Sequence, residues 1–147
     1  MRTLHKGNRM ECDSGEAAIV RLLTTFLEAD GYAVRSEVSN MGQSVDIVAT
    51  KNRRLTFIEA KLNHWRRAIQ QCRAHELVAD FICVAIQAKT ISEPLLEEVA
   101  RLGYGLIHCI PKSPECVWIK RPMLNQNVWP PQRKRVVTAM RAINYDS

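Results

Sequence analysis

The chain has 147 residues, which is the size of one domain with a substantial hydrophobic core. Its 21 Lys and Arg residues against 15 Asp and Glu give a net charge of +6, and this basic balance suits a polyanionic partner. No apolar run reaches the length of a membrane span, and residues 1–11 lack the apolar core of a signal peptide. We therefore expect no membrane partner.

The cysteines indicate a reducing environment. There are five of them, an odd number, and none shows C-x-x-C spacing, which argues against a disulfide framework and against a zinc site. Cys72, Cys83 and Cys109 fall within apolar segments, where a free thiol packs as a small hydrophobic group. Such usage is typical of the cytosol, so we expect a cytoplasmic protein.

The N-terminal part of the chain predicts an arm followed by a helix. Residues 1–12 have no hydrophobic periodicity, and we expect them to form a flexible arm. From Asp13 onward, apolar residues recur with the i, i+3, i+4, i+7 spacing of a buried helical stripe. We expect the helix to end near Asp30, because Gly31 is a typical stop signal.

Three strands are predicted next. Residues 32–38 form the first, and 39–44 a loop in which Gly42 permits a tight backbone path. The runs 45–49 and 55–61 are apolar and rich in β-branched and aromatic residues, as in strands buried inside a sheet. The polar, turn-like residues between the two runs predict an antiparallel hairpin.

The following part of the chain alternates helices and strands. The predicted elements are a helix from Asn63 or His64 to Ala79, a strand over 81–86, a helix from Ser92 to Gly103, a strand over 106–110 and an edge strand over 116–119. The run 81–86 is apolar throughout, as expected of a strand covered on both faces. The order strand, helix, strand predicts a right-handed crossover and a parallel pair.

The composition shifts at Lys120 to a basic C-terminal extension, 120–147. We expect residues 125–131 to be extended, with Pro130 and Pro131 interrupting the chain, and 136–143 to form a short helix. The run Arg133, Lys134, Arg135 is typical of a phosphate-contacting or flexible segment.

Three charged residues in the predicted hairpin need an explanation. Asp46, Glu59 and Lys61 lie within apolar strands, where a charge is costly unless it is compensated. Because side chains alternate along a strand, Glu59 and Lys61 point to the same side. Asp46 brought close to Glu59 would form an oxygen-rich site for a hard divalent cation. Lys61 beside them could orient or deprotonate a water, or stabilise charge on a phosphate.

The pattern of Asp46 followed by Glu59-Ala60-Lys61 resembles that of the PD-(D/E)XK nuclease superfamily, over roughly residues 13–86. Val45 stands where the motif's name has Pro. The resemblance implies an α/β, restriction-endonuclease-like core of order α-β-β-β-α-β, with a mixed central sheet flanked by helices. Here it would occupy a nuclease-like domain, 13–119, with an α-β extension before the basic tail. It also implies Mg²⁺, or Mn²⁺, bound by Asp46 and Glu59, with help from the Ala60 carbonyl.

The same resemblance suggests two further site residues. A first-helix glutamate often joins the metal site in this superfamily, and Glu16 matches its place. The other interpretation is a capping box with Asp13. Gln71 and His75 match the Gln-x-x-x-Tyr motif of some members, with His in place of Tyr, so Gln71 is a candidate for the active site. For His75 we expect packing.

The second predicted helix also carries basic residues. Arg66, Arg67 and Arg73 fall on its solvent side and follow the Glu-Ala-Lys motif closely in sequence, which favours contact with phosphates over a merely solvated face.

Two main functional interpretations follow. The first is a Mg²⁺-dependent endonuclease that hydrolyses DNA, with RNA left open, and with structure-selective enzymes such as Holliday-junction resolvases as one subclass. A resolvase would be a symmetric homodimer. The second is an inactive nucleic-acid-binding or regulatory protein on the same fold. A third, an ordinary α/β domain, would pair Asp46 with Lys61 as a structural ion pair.

Overall fold

A six-stranded mixed β-sheet lies between helices on both of its faces in a computed structural model of the chain. The structure describes the backbone of residues 2–40 and 42–146 and the side chains of residues 15–40 and 42–141. Within these residues the elements are α1 (Arg2–Ala29), β1 (Ala33–Asn40), β2 (Gln43–Lys51), β3 (Arg54–Lys61), α2 (Trp65–Arg73), β4 (Phe81–Gln87), α3 (Glu93–Leu102), β5 (Gly105–Cys109), β6 (Cys116–Lys120) and α4 (Pro130–Asp146). The α/β class and the mixed sheet predicted from the sequence are confirmed.

The strands lie in the sheet in the same order as in the chain, from β1 to β6. The pairs β1–β2, β2–β3 and β5–β6 are antiparallel, whereas β3–β4 and β4–β5 are parallel and are joined through α2 and α3. The predicted hairpin and the predicted parallel crossover are both present. The hairpin turns through Asn52 and Arg53, whose φ angles of 53° and 64° suit the twist of a two-residue connection.

Each face of the sheet has its own apolar core. On one face, Ile19, Leu23 and Leu27 of α1 are fully buried against the sheet. On the other face, α2, α3 and α4 pack around Phe57, and Val136 and Met140 of α4 are among the buried residues. Burial of one such large side chain stabilises the fold by roughly 1.5–3 kcal/mol. The extension predicted over 120–147 therefore contributes residues to the core.

Several boundaries differ from the prediction. Helix α1 begins at Arg2, so its first turns occupy residues 2–12, within the stretch 1–12 for which we expected a flexible arm. The predicted loop 39–44 is shorter, because β1 continues to Asn40, which pairs with Gln43. The division of the chain into arm, domain and extension stays a prediction.

Helix α2 ends at Arg73 instead of Ala79. The reason lies in contacts from other parts of the chain. The Asn125 side-chain amide donates to the carbonyl oxygens of Glu76 and Ala79, at 2.6 Å and 2.8 Å. These carbonyls therefore need no helical partner.

Helix α4 begins at Pro130, within the stretch that we expected to be extended. Proline fits the first turn of a helix, because the missing N–H has no intrahelical acceptor there. By contrast, the ends of α3 follow the prediction. The Ser92 hydroxyl accepts from the backbone N–H of Leu95, and Gly103 ends the helix with φ of 74°.

No helix in the described part of the chain has both the length and the apolar character that crossing a bilayer requires.

Candidate functional site

Asp46 is fixed to the neighbouring strand by its side chain. The residue after it, Ile47, pairs with Ile58, and the same register sets Asp46 opposite Glu59. The backbone N–H of Ala60 donates to Oδ2 of Asp46 at 2.8 Å. The pKa of the Asp46 carboxyl is raised from 3.8 to about 6, mainly by burial and also by the adjacent Glu59 carboxylate, against the lowering effect of the Ala60 N–H. The predicted meeting of the two carboxylates is therefore present.

Glu59 is the more deeply buried carboxylate of the two. It is 1% exposed and points toward the face of the sheet that α2 covers. Nε2 of His75 donates to Oε1 of Glu59 at 2.9 Å. Burying a carboxylate without such a partner would lower the stability of the fold by several kcal/mol. The hydrogen bond from His75 offsets this cost at Glu59.

Lys61 contacts the first helix. Its ammonium lies 3.8 Å from Oε1 of Glu16, and its side chain is 16% exposed against 51% for that of Glu16. This contact places Glu16 beside Lys61, the last residue of β3. The alternative interpretation of Glu16 as part of a capping box with Asp13 is wrong, because α1 begins at Arg2 and position 13 lies inside the helix, not at its N-cap. Of the described carboxylates, only that of Glu16 lies within 4.0 Å of the Lys61 ammonium. This arrangement does not favour a simple ion pair between Asp46 and Lys61.

Gln71 lies in α2 and lines a cleft of about 580 Å³ beside β2. The cleft is bordered by Gln43, Ser44, Arg67, Gln70, Gln71 and Ala74. Oε1 of Gln71 is buried and, among the described residues, has no hydrogen-bond donor. A buried acceptor without a donor is rare in folded proteins, so this atom is available to a water or a ligand.

The oxygen ligands at this site suit magnesium better than zinc. In the residues whose side chains are described, no group of three or more His, Cys, Asp and Glu side chains could hold a metal ion. Asp46 and Glu59 supply two carboxylates, and Mg²⁺ is often bound by one or two carboxylates with waters and substrate oxygens completing its octahedron. The residues present therefore fit Mg²⁺ or Mn²⁺. The metal role of Glu16 stays a prediction.

The predicted phosphate-binding residues fall into two groups. Arg66, Arg67 and Arg73 are exposed on α2, and Arg67 borders the cleft beside Gln71. Lys134 and Arg135 are exposed on α4.

Arg133 differs from its neighbours in the basic run. Its guanidinium donates to the carbonyl oxygen of Arg53 at 2.9 Å and to Oδ2 of Asp80 at 3.1 Å. Asp80 is only 5% exposed. Arg133 therefore anchors α4 to the rest of the domain. The sequence does not reveal this role, because Arg133 stands in a run of basic residues.

His75 is the residue that sequence reasoning underestimated. It packs edge-on against the Phe57 ring, at 5.2 Å between centroids, as the expectation of packing implies. It also donates to Glu59, which was not predicted. The available signal was the buried glutamate itself, because a carboxylate inside a sheet requires a donor and α2 follows β3 directly.

The chain was also compared with known proteins. No protein-family model and no curated protein matches it. It is similar to a solved protein of unknown function from Silicibacter pomeroyi, with a TM-score of 0.59 and 18% identity over 81% of this chain and 80% of that one. It is similar to an XisH family protein from Nostoc punctiforme, with a TM-score of 0.51 and 16% identity over 69% of this chain and 98% of that one.

A third similar structure is a FdxN element excision controlling factor protein from Anabaena variabilis. The TM-score is 0.51, with 15% identity over 68% of this chain and 96% of that one. At these identities, the likeness shows a shared fold alone.

Proposed function

We propose that this chain is a metal-dependent nuclease of the PD-(D/E)XK type, with a restriction-endonuclease-like fold, that hydrolyses phosphodiester bonds of DNA. The observation that carries the proposal is the 2.8 Å hydrogen bond that holds Asp46 beside the buried Glu59. Two carboxylates that share a desolvated place repel each other, and a divalent cation removes that cost.

The cation would be held by Asp46, Glu59 and the backbone carbonyl of Ala60. When bound, Mg²⁺ or Mn²⁺ supplies Lewis-acid polarisation of a phosphoryl oxygen and lowers the pKa of water. Because Ala60 N–H and His75 each occupy one carboxylate oxygen, the two carboxylates are oriented before any ligand arrives.

Lys61 and Gln71 would act on the substrate side. The Lys61 side chain is mostly buried and lies one residue beyond Ala60, where its positive charge would stabilise negative charge that develops on a phosphate. Oε1 of Gln71 can accept a hydrogen bond from a water and so orient it. Exposed Arg66, Arg67 and Arg73 on the same helix would attract and position the DNA backbone.

The test is incubation of the purified protein with plasmid DNA, branched DNA and RNA, in Mg²⁺, Mn²⁺ or EDTA. We expect cleavage of DNA that requires the cation and falls by orders of magnitude in Lys61→Ala. Lys51→Ala is the matched control, because Lys51 lies at the opposite end of the same hairpin and contacts Asp30. Cleavage that persists undiminished in excess EDTA would contradict the metal mechanism.

One observation favours the inactive nucleic-acid-binding protein as a second candidate. The described side chains provide no third metal-binding group beside Asp46 and Glu59. In that case DNA would bind and remain intact in every cation, and Lys61→Ala would alter neither result.

A further inference from the structure

A chain of buried hydrogen bonds links the candidate metal site to α4. His75 Nε2 donates to Glu59 at 2.9 Å, the Asn40 side-chain amide lies 3.1 Å from His75 Nδ1, and Gln132 Nε2 donates to Asn40 Oδ1 at 3.4 Å. The four residues are between 1% and 5% exposed. They come from β3, the turn after α2, the end of β1 and α4, so the chain joins segments far apart in the sequence.

The partners in this chain fix the proton on the His75 ring. Oδ1 of Asn40 accepts from Gln132, which leaves the Asn40 NH₂ group facing Nδ1 of His75. Nδ1 must therefore accept, and in a neutral imidazole the proton then lies on Nε2. That proton points at Oε1 of Glu59.

This tautomer excludes His75 from binding a metal directly. The lone pair of Nδ1 is used by Asn40, and Nε2 carries the proton that Glu59 accepts. The ring is also held in place by the edge-on contact with Phe57 and by its backbone, whose carbonyl accepts from the N–H groups of Val78 and Ala79 at 3.0 Å.

We propose that His75 is a positioning residue: it holds the Glu59 carboxylate for metal binding, with its tautomer set by Asn40 and Gln132. The inference rests on the proposed nuclease function and deepens it. The physical reason is that a fixed donor on one oxygen removes the rotational freedom of the carboxylate before the cation binds. Loss of such an outer partner typically lowers metal affinity or activity by about 10- to 100-fold.

The experiment is calorimetric titration of the full chain with Mn²⁺, without nucleic acid. His75→Leu removes the donor, and we expect Mn²⁺ to bind about 10- to 100-fold more weakly. His75→Gln places an amide N–H at a similar reach and should restore most of the affinity. Tyr104→Phe is the matched control, because it also removes a side-chain donor to a glutamate, here Glu76 instead of Glu59.

The outcomes separate positioning from packing. Equal Mn²⁺ affinity of the wild type and His75→Leu would overturn the inference while the nuclease proposal stands. Equal losses in His75→Leu and His75→Gln would assign the effect to packing and would also overturn it. A wild type that binds no Mn²⁺ would refute the proposed function, and this inference with it.

A second measurement needs no variant and so does not depend on whether a substituted protein folds. Nitrogen-15 NMR of the metal-free wild type distinguishes a protonated from an unprotonated ring nitrogen. We expect Nε2 of His75 to be protonated and Nδ1 to be unprotonated at neutral pH. A proton on Nδ1 with Nε2 free would overturn the inference whatever the titrations give.

Discussion

Replacing Asp46 by Asn should stabilise the metal-free protein while it destroys metal binding. Asn has the same shape, and its side-chain oxygen can still accept from the Ala60 N–H that now donates to Asp46. Its amide can donate to the neighbouring Glu59 carboxylate, so a repulsive pair becomes an attractive one. The same substitution removes an anionic ligand of the proposed cation.

The size of the effect follows from the pKa of Asp46. The gap between 3.8 and about 6 corresponds to about 3 kcal/mol in the free energy of unfolding, at about 1.4 kcal/mol per pKa unit. Asp46 is partly exposed, so solvent screening reduces this to about 1–2 kcal/mol. For a chain of this length, such a change raises Tm by roughly 2–8 °C.

The pH dependence has a definite sign. The folded protein holds the Asp46 proton more tightly than the unfolded chain, so protonation stabilises the fold. Below about pH 4 the carboxyl is protonated in both states and costs nothing. The cost grows between pH 3.8 and about 6 and is fully present above that range. The stability advantage of Asp46→Asn should therefore be largest near neutral pH and vanish toward pH 4.

Thermal melting in EDTA at about pH 7.5 and about pH 4.5 measures this difference. Asp30→Asn is a control, because Asp30 pairs with Lys51 and Arg121 at the surface and should change stability by less than about 0.5 kcal/mol. A drop of several degrees in Asp46→Asn at neutral pH would refute the reasoning. It would mean that Asp46 compensates Lys61 as a structural ion pair.

Four further outcomes are expected. Ca²⁺ should support DNA binding better than cleavage, measured by gel shift and nicking, because its larger and looser coordination positions water less strictly. Replacing Lys134 and Arg135 by Ala should flatten the slope of log DNA affinity against log salt concentration by up to about 0.9 per lost phosphate contact, and an unchanged slope would remove α4 from the DNA interface. Arg133→Ala should instead lower the free energy of unfolding by about 1–3 kcal/mol, because it takes one hydrogen-bond donor from the buried Asp80. A maleimide should label Cys116 before the three buried thiols, because Cys116 is partly exposed and its contact with the Cys109 thiol lowers its pKa. Peptide mapping that shows equal labelling would contradict this.

The elements that could be predicted are those specified by neighbouring residues. The hairpin follows from two apolar runs on either side of a polar turn, and its register brings Asp46 to Glu59. The ends of α3 follow from Ser92 and Gly103, each of which acts within one turn of the helix. These signals are local, so they act before any tertiary contact forms.

The rest depends on contacts between residues distant in the chain. His75 is 16 residues from Glu59 and 35 from Asn40, so no spacing rule connects them. The end of α2 depends on Asn125, 46 residues beyond Ala79. The role of Arg133 depends on Asp80, 53 residues away, and a count of basic residues cannot distinguish such an arginine from one that meets DNA.

The order of the strands bears on how the protein folds. Each strand pairs with its immediate neighbour in the chain, so every pairing closes a loop no longer than one helix and its connections. The sheet can therefore grow strand by strand, in the direction of synthesis, without waiting for a distant segment.

The candidate site is completed later in folding than the sheet. Gln132 reaches Asn40 across 92 residues, and α4 must dock before the hydrogen-bond chain to Glu59 is complete. A chain still on the ribosome would thus have a nearly finished sheet and an unfinished site. Metal affinity would appear as the last event of folding, separate from the formation of the sheet.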